Sequence, residues 1–436
     1  MLVSQSSPYP SNADAAASER ALLERRARLL GPTYRAFYRN PIHLVRGSGV
    51  WLYDAQGRRF LDAYNNVASV GHCHPRVVEA LSAQAATLNT HTRYLSEIIL
   101  DYAEKLLGTV PAHLGHAMFT CTGSEANDLA IRIAQHSSGG TGVIITDFAY
   151  HGATIATAQL SPAAVGAKGV PAQHRTVTAP DTFRDHGRAA HDFARNVAAA
   201  IEDMRAKNIR PAALLLDSAF SSDGIFFPDA AVMREAADHI KKAGGIIIAD
   251  EVQSGFGRLG QGMWGFANYG IEPDIITMGK PIGDGHPMGA VLVRPQLVAS
   301  FGSNTGYFNT FGGNPVAAAV GLAVLEVIEG EGLIENARNV GAYTAELLRA
   351  LQSRRGAVAD IRHNGLYFGV ELTADGDEAL AATKTSAVVE AMREDGVLIS
   401  SCGPRGNVLK IRPPLPFARD NAEQLAETLD RALSNW

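Results

Sequence analysis

No apolar run in this chain approaches the ~20 consecutive residues that a membrane-spanning helix requires, which sets the bilayer aside as its solvent. Cysteine is scarce: Cys73, Cys121 and Cys402 are scattered and odd in number. They make no disulfide framework and suit a reducing compartment. Charge of neither sign dominates, with a formal net charge of −5 and a pI near 6.3. The bulk electrostatics therefore offer nothing to nucleic acid or to an anionic membrane, and neither is expected as a partner. The N-terminal residues through Ser11 are rich in serine and lack the apolar core of a signal peptide, so a cytoplasmic protein is expected. A Gly-x-Ser-x-Gly elbow, which would point to a serine hydrolase, is also missing.

What is present fits an enzyme-sized globular chain. Its 436 residues are 46% hydrophobic and 19% charged, too many for one small core. After a loose arm over residues 1–13, a helical pattern runs from Ser18 to Leu30. The stretch Gly49 to Asp62 alternates apolar and polar residues about a Gln56-Gly57 turn, as a hairpin does. Helices are expected over Pro75 to Asn89 and Ser96 to Leu107. Between about 117 and 293, short β-branched runs alternate with helical stretches, the pattern of a parallel sheet with right-handed crossovers. Residues 160–190 read as a long loop able to cover a site. Residues 331–436 read as α+β, expected to associate with the N-terminal hairpin. The expected divisions are 1–65, 66–330 and 331–436, the first belonging with the third.

Two strand ends carry the chemistry. The run Gly245 to Ala249 ends in Asp250, and Asp274 to Gly279 ends in Lys280, thirty positions later. Ligands of open α/β sheets lie at the carboxyl ends of strands, so this acid and this lysine can face one cleft. Such a pair suits pyridoxal phosphate (PLP): the amine forms a Schiff base and the carboxylate partners the ring nitrogen. Thr122-Gly123-Ser124, between a strand and a helix, can form a phosphate cup; the alternative is that Ser124 is simply a helix N-cap. Tyr150-His151-Gly152 follows another strand and can place an aromatic against a ring.

Two other motifs are weaker. Gly255 to Gly260 matches G-x-G-x-x-G, but Gln261 to Gly265 is a poor helix start, and the acid required about 20 residues on is replaced by the neighbourhood of Lys280. Gly71-His72-Cys73-His74-Pro75 is too dense to wrap one tetrahedral ion and reads as a turn, so no metal is expected.

Taken together, Thr122 to Asn127, Tyr150 to Gly152, Asp250 to Arg258, Gly279-Lys280 and Thr310 to Pro315 resemble the class III aminotransferases over about residues 40–430. The resemblance implies PLP fold type I: an α/β large domain with a mainly parallel sheet, plus a smaller α+β domain. It makes Lys280 the Schiff-base lysine and Asp250 the partner of the ring nitrogen. Gln253 would meet the ring hydroxyl, with Tyr150 and Val252 about the ring and His151 in the same cofactor shell. Gly123 and Ser124 would hold the phosphate, helped by Thr310 from the other subunit of a homodimer with shared sites.

Within the family, Asn65 to Pro75, Leu88 to Leu95, Gly279 to Pro287 and Asn407 to Pro414 are most similar to its phospho-lyases. That branch eliminates phosphate from phosphoethanolamine, through an external aldimine and a carbanion, to leave acetaldehyde and ammonia. An ω-amino-acid or amine:pyruvate transaminase is the alternative, because the first carbanion is common to both. A binding protein that has kept the fold without the chemistry is a third reading. The substrate contacts expected are Asp217, which stands where many family members carry glutamate, together with Asn66, Lys410 and Arg412. Arg93 and Arg39 are further cations for a substrate phosphate.

Overall fold

The computed structural model describes residues 12–184 and 188–436. All but the last two positions of the expected N-terminal arm lie outside the described residues. A helix Asn12–Leu30 precedes three strands, β1 (Leu44–Ser48), β2 (Trp51–Asp54) and β3 (Arg59–Asp62). The last two are the hairpin expected from the Gln-Gly turn, and β1 adds to it antiparallel.

The central sheet comprises β4 (His116–Thr120), β5 (Gly142–Thr146), β6 (Arg175–Val177), β7 (Pro211–Asp217), β8 (Ile246–Asp250), β9 (Ile275–Met278) and β10 (Gly289–Val293). Their order is β4-β10-β9-β8-β7-β5-β6. Strands β6, β5, β7, β8 and β9 run parallel, whereas β10 lies antiparallel to both β9 and β4. The sheet is therefore mainly parallel, as expected, with β10 the one antiparallel strand. An antiparallel strand inserted between β9 and β4 leaves β4 pointing the same way as β9.

Successive residues of these strands feed two separate cores. Leu214, Leu216, Ile247, Ala249, Ile276 and Met278 pack on one face with helices 188–206, 230–242 and 315–330. Ala213, Leu215, Ile248, Ile275, Val291 and Val293 pack on the other face against Leu129 and Ile133 of helix 123–138 and Phe301 of helix 295–304. Burial on both faces is why the strands read as continuous apolar runs rather than as alternation.

The chain continues with β11 (Val358–Asn364), β12 (Tyr367–Leu372), β13 (Val397–Leu398), β14 (Ser400–Cys402) and β15 (Val408–Ile411). Strands β11, β12, β15 and β14 form a third sheet, while β13 pairs parallel with β3. The stretch expected as one loop, 160–190, is interrupted by helix 162–165, by β6 and by the start of helix 188–206. A three-residue edge strand is too short to leave a periodic signal.

Two motifs find structural explanations. Residues 255–263 form consecutive turns leading into a short 3-10 turn at 265–269, so no helix follows the glycine-rich run. In the His72-Cys73-His74 turn, His72 Nε2 meets Asp62 Oδ2 at 2.7 Å and His74 Nε2 meets Glu331 Oε1 at 3.0 Å, so the two rings point to different partners.

Directly after β8, Glu251 is fully buried and accepts four hydrogen bonds. They come from Ser218 Oγ (2.5 Å), Ser254 Oγ (2.9 Å) and the amides of Gly265 and Phe266 (both 2.8 Å). This carboxylate ties the ends of β7 and β8 to the following turns. Glu251→Ala strands those donors and is expected to lower stability by about 3 kcal/mol or more in urea denaturation, with Glu251→Gln losing less.

Candidate active site

The carboxyl ends of β4, β5, β7, β8 and β9 share one edge of the central sheet, and the segments leaving them enclose a cavity of about 130 Å³. Its walls are Gly123, Ser124, Asn127, Tyr150, His151, Gly152, Asp217, Asp250, Val252, Gln253 and Lys280. A larger cavity of about 660 Å³ lies by the N-terminal helix and the β1–β3 hairpin; Arg39 lines it, and no residue is common to the two linings.

Beyond β4, Thr122 caps helix 123–138. Its Oγ1 accepts the Glu125 amide at 3.1 Å, and Glu125 Oε2 accepts the amides of Cys121 (2.6 Å) and Thr122 (3.1 Å). This capping box leaves the first-turn amides of Gly123 and Ser124 at the positive end of a 16-residue helix, an anion site by geometry. Backbone closeness here requires glycine. A Cβ on Gly123 would fall 2.8 Å from Val252 Cγ2, and one on Gly279 would fall 2.9 Å from Gly123 Cα. Lys280 therefore leaves β9 immediately beside the anion cup. Gly152, at φ +142°, would place a Cβ 2.6 Å from Ser124 Oγ, so it too must lack a side chain.

Asp250 is the electrostatic centre. Its Oδ2 accepts from His151 Nδ1 at 2.7 Å and from Asn127 Nδ2 at 2.8 Å, and its Oδ1 accepts the Val252 amide at 3.1 Å. The Asn127 amide is oriented by Thr277 Oγ1, which donates to Asn127 Oδ1 at 2.6 Å. All four of these side chains are buried. On the adjacent strand, Asp217 lies in register with Asp250. Burial, reinforced by Asp250, raises the Asp217 carboxyl above its ordinary range, against the opposing turn amides of Ala219 and Ser221. Burial first, and then Arg412, holds the Lys280 amine below its ordinary range, while Asp250 and Asp217 pull it back up.

The residues expected to hold a cofactor thus converge, with one exception. Gly123, Ser124, Tyr150, His151, Val252, Gln253, Asp250 and Lys280 all line the cavity, whereas Thr310 lies on an exposed stretch outside it. Of the expected substrate contacts, Asp217 lines the cavity. Asn66, Lys410 and Arg412 are buried behind it: Arg412 donates to Gln253 Oε1, Asn66 Nδ2 to Gln253 O at 3.4 Å, and Lys410 Nζ to Ser221 O at 2.8 Å. Burial, with Arg412 next, pushes the Lys410 amine down to about 7. Arg93 lies over the Phe308 ring, 3.8 Å from its centroid. Asn127 and Thr277 were not among the expected site residues, although Asn127 closes the Thr122 to Asn127 landmark and follows Gly123 by one helical turn.

The donor set fits PLP. An amide-lined helix start with a serine hydroxyl suits a phosphate, a buried carboxylate suits a protonated ring nitrogen, and a buried amine stands beside both.

Comparison with known proteins agrees with this geometry. The family model for aminotransferase class-III matches residues 34–433. The ethanolamine-phosphate phospho-lyase homolog 1 of Caenorhabditis elegans is 36% identical, with 96% of this chain and 94% of the relative covered. A phospholyase from Arthrobacter, solved in complex with phosphoethanolamine, is 42% identical with a TM-score of 0.91, over 95% of this chain and 100% of that one. An amine transaminase from an uncultivated Pseudomonas species, solved in the PLP-bound internal aldimine form, is 28% identical with a TM-score of 0.82, over 90% and 95% of the two chains. The chain belongs to the class III aminotransferase family, whose members work with PLP.

Proposed function

We propose that this protein is a PLP-dependent phospho-lyase that converts phosphoethanolamine and water to acetaldehyde, ammonia and phosphate. The observation that carries the reading is the near-complete match, at 42% identity, to a phospholyase that holds phosphoethanolamine. The strand-end constellation independently supports its PLP-dependent part.

PLP, when bound, supplies an electron sink for the carbon next to the substrate nitrogen. Lys280 would hold it covalently and would also be the base that takes a proton from that carbon. A buried amine below its ordinary range is suited to this work, because less of it is tied up as ammonium near neutrality. Asp250 keeps the ring nitrogen protonated, and His151 and Asn127 fix the direction of that carboxylate. The amides of Gly123 and Ser124 and the Ser124 hydroxyl take the cofactor phosphate. Tyr150 and Val252 would flank the ring, and Gln253 would meet its hydroxyl. A phosphate on the adjacent carbon would be a ready leaving group, because it departs as a stable anion with the C–O bonding pair. Asp217 would face the substrate from the cavity wall, with Arg412, Asn66 and Lys410 behind it.

The reading extends to a homodimer in the cytoplasm. Leu95 is 100% exposed, and Tyr94, Phe308 and Phe311 are also exposed apolar groups. His91 stacks on Tyr94 and meets Phe308 edge-on, so the 88–95 stretch and Phe308 form one patch close in sequence to Thr310. A second copy covering this patch would bring Thr310 to the partner's cofactor phosphate. Pairing of β13 with β3 supports grouping 1–65 with 331–436 as a small domain beside a cofactor-binding unit at 66–330. Among the described residues no helix is long and apolar enough to cross a membrane.

Incubation with phosphoethanolamine and no keto acid is expected to release phosphate and acetaldehyde in equal amounts, with Lys280→Ala abolishing both the visible cofactor band and turnover. Strict dependence on a keto acceptor, with no phosphate formed, would identify an amine transaminase instead. The depressed Lys280 amine predicts that the apoprotein combines with PLP rapidly at neutral pH and slows as pH falls through the lysine's titration, which stopped-flow absorbance follows. Leu95→Asp is expected to weaken self-association at least tenfold in sedimentation velocity, the cost of burying an unpaired carboxylate.

A further inference from the structure

Asp217 owes its place to a turn that the central sheet alone does not hold. Its carboxylate accepts the amides of Ala219 (2.9 Å) and Ser221 (3.0 Å), so its direction follows the turn. The turn closes through the Ile225 amide on Phe220 O (3.0 Å) and the Phe226 amide on Ala219 O (3.1 Å). Phe220 at φ +47° and Ile225 at φ +64° are both in the left-handed region, which is unfavourable for a bulky or β-branched residue. Something outside the turn must hold it there.

The third sheet does so, through backbone carbonyls. Lys410 Nζ donates to Ser221 O at 2.8 Å, and the Gly403 amide donates to Ser222 O at 3.1 Å. Arg362, on β11, takes the next two: its Nη2 donates to Gly224 O and its Nε to Ile225 O, both at 2.9 Å. Its guanidinium also lies over the Phe226 ring, 4.9 Å from the centroid. The Arg362 charge is balanced by Asp360 Oδ2 at 2.6 Å and Glu371 Oε2 at 2.8 Å, and Arg184 engages the other oxygen of Glu371. A planar fork is the one side chain able to serve two neighbouring carbonyls and two carboxylates at once.

We propose that Arg362 is a positioning residue for the active site: its grip on the carbonyls of Gly224 and Ile225 keeps Asp217 at the cavity wall, beside Asp250 and facing Lys280. This rests on the cofactor reading above. Asp217 meets Asp250 on the next strand and Lys280 across the cavity, with Asp223, Lys410, Tyr269 and Tyr367 around it. Its negative charge favours a proton on the nitrogen at position 280, and Arg412 opposes it.

The test is a pH titration of the visible cofactor band in purified holoprotein, for wild type, Arg362→Lys, Asp217→Asn and the double variant. Lysine preserves the charge opposite Glu371 but cannot span both carbonyls. Arg362→Lys is expected to move the band's midpoint down by about half a pH unit or more, because the Asp217 charge swings away. Asp217→Asn moves it the same way, and the double variant goes no further than Asp217→Asn alone. Asp360→Asn, which strips one carboxylate from Arg362 at a partly exposed position, gives a smaller shift of the same sign and serves if Arg362→Lys does not fold. An unshifted band in folded variants, or a double variant that sums the two single shifts, overturns the proposal and reduces Arg362 to a structural role. A wild-type protein that develops no visible band with added PLP overturns instead the cofactor reading on which it rests.

Discussion

A buried carboxylate must be paired or hydrogen-bonded, and Asp250 meets that demand with a histidine ring and an amide rather than with a lysine or arginine. This choice shapes the site. The oriented donors, His151 Nδ1, Asn127 Nδ2 and the Val252 amide, fix the carboxylate's direction at the cavity wall. The orientation is layered: Thr277 turns Asn127, and Asn127 and His151 together turn Asp250. Each layer comes from a different strand end or from the helix above the sheet. The aim of one acid therefore depends on β8, β9, the segment after β5 and helix 123–138 packing in their observed register.

Around that acid the charges are set against each other at short range. Asp217 stands in register with Asp250, Lys280 faces both, and Arg412 presses from behind Gln253. In a site this dry, each group shifts its neighbours more than it would in water. Burial and then the arginine weaken the lysine's hold on its proton, and the two acids act in the opposite direction. Glu251, one residue after Asp250, takes no part in this balance: all of its hydrogen bonds go to protein donors that brace the strand ends.

Much of this was legible before any coordinates. Asp250 and Lys280 were visible because strands buried on both faces read as solid apolar blocks, and a polar residue ending such a block stands out. The anion cup is legible because Gly123 and Ser124 stand between a strand pattern and a helix pattern; that Thr122, with Glu125, is the cap is added by the structure. The direction of β10 was not legible, since Gly289 to Val293 is equally apolar either way up. Nor was β6, whose three residues are too few for a pattern. Asn127 and Thr277 are 150 positions apart in sequence, and each alone looks like an ordinary polar residue in a helix or strand. Lys410 and Arg412 were seen as cations, but their burial behind the cavity came from the register of β15 with β12, which no local pattern encodes.

The grip of the third sheet on residues 221–225 falls on carbonyl oxygens and not on side chains. Every amino acid presents that same oxygen, so the hold is indifferent to what the segment carries. Descendants of this chain can therefore exchange Ser221 or Ser222 for other residues while the segment keeps its path, leaving the wall of the cleft free to drift toward new substrates on an unchanged scaffold.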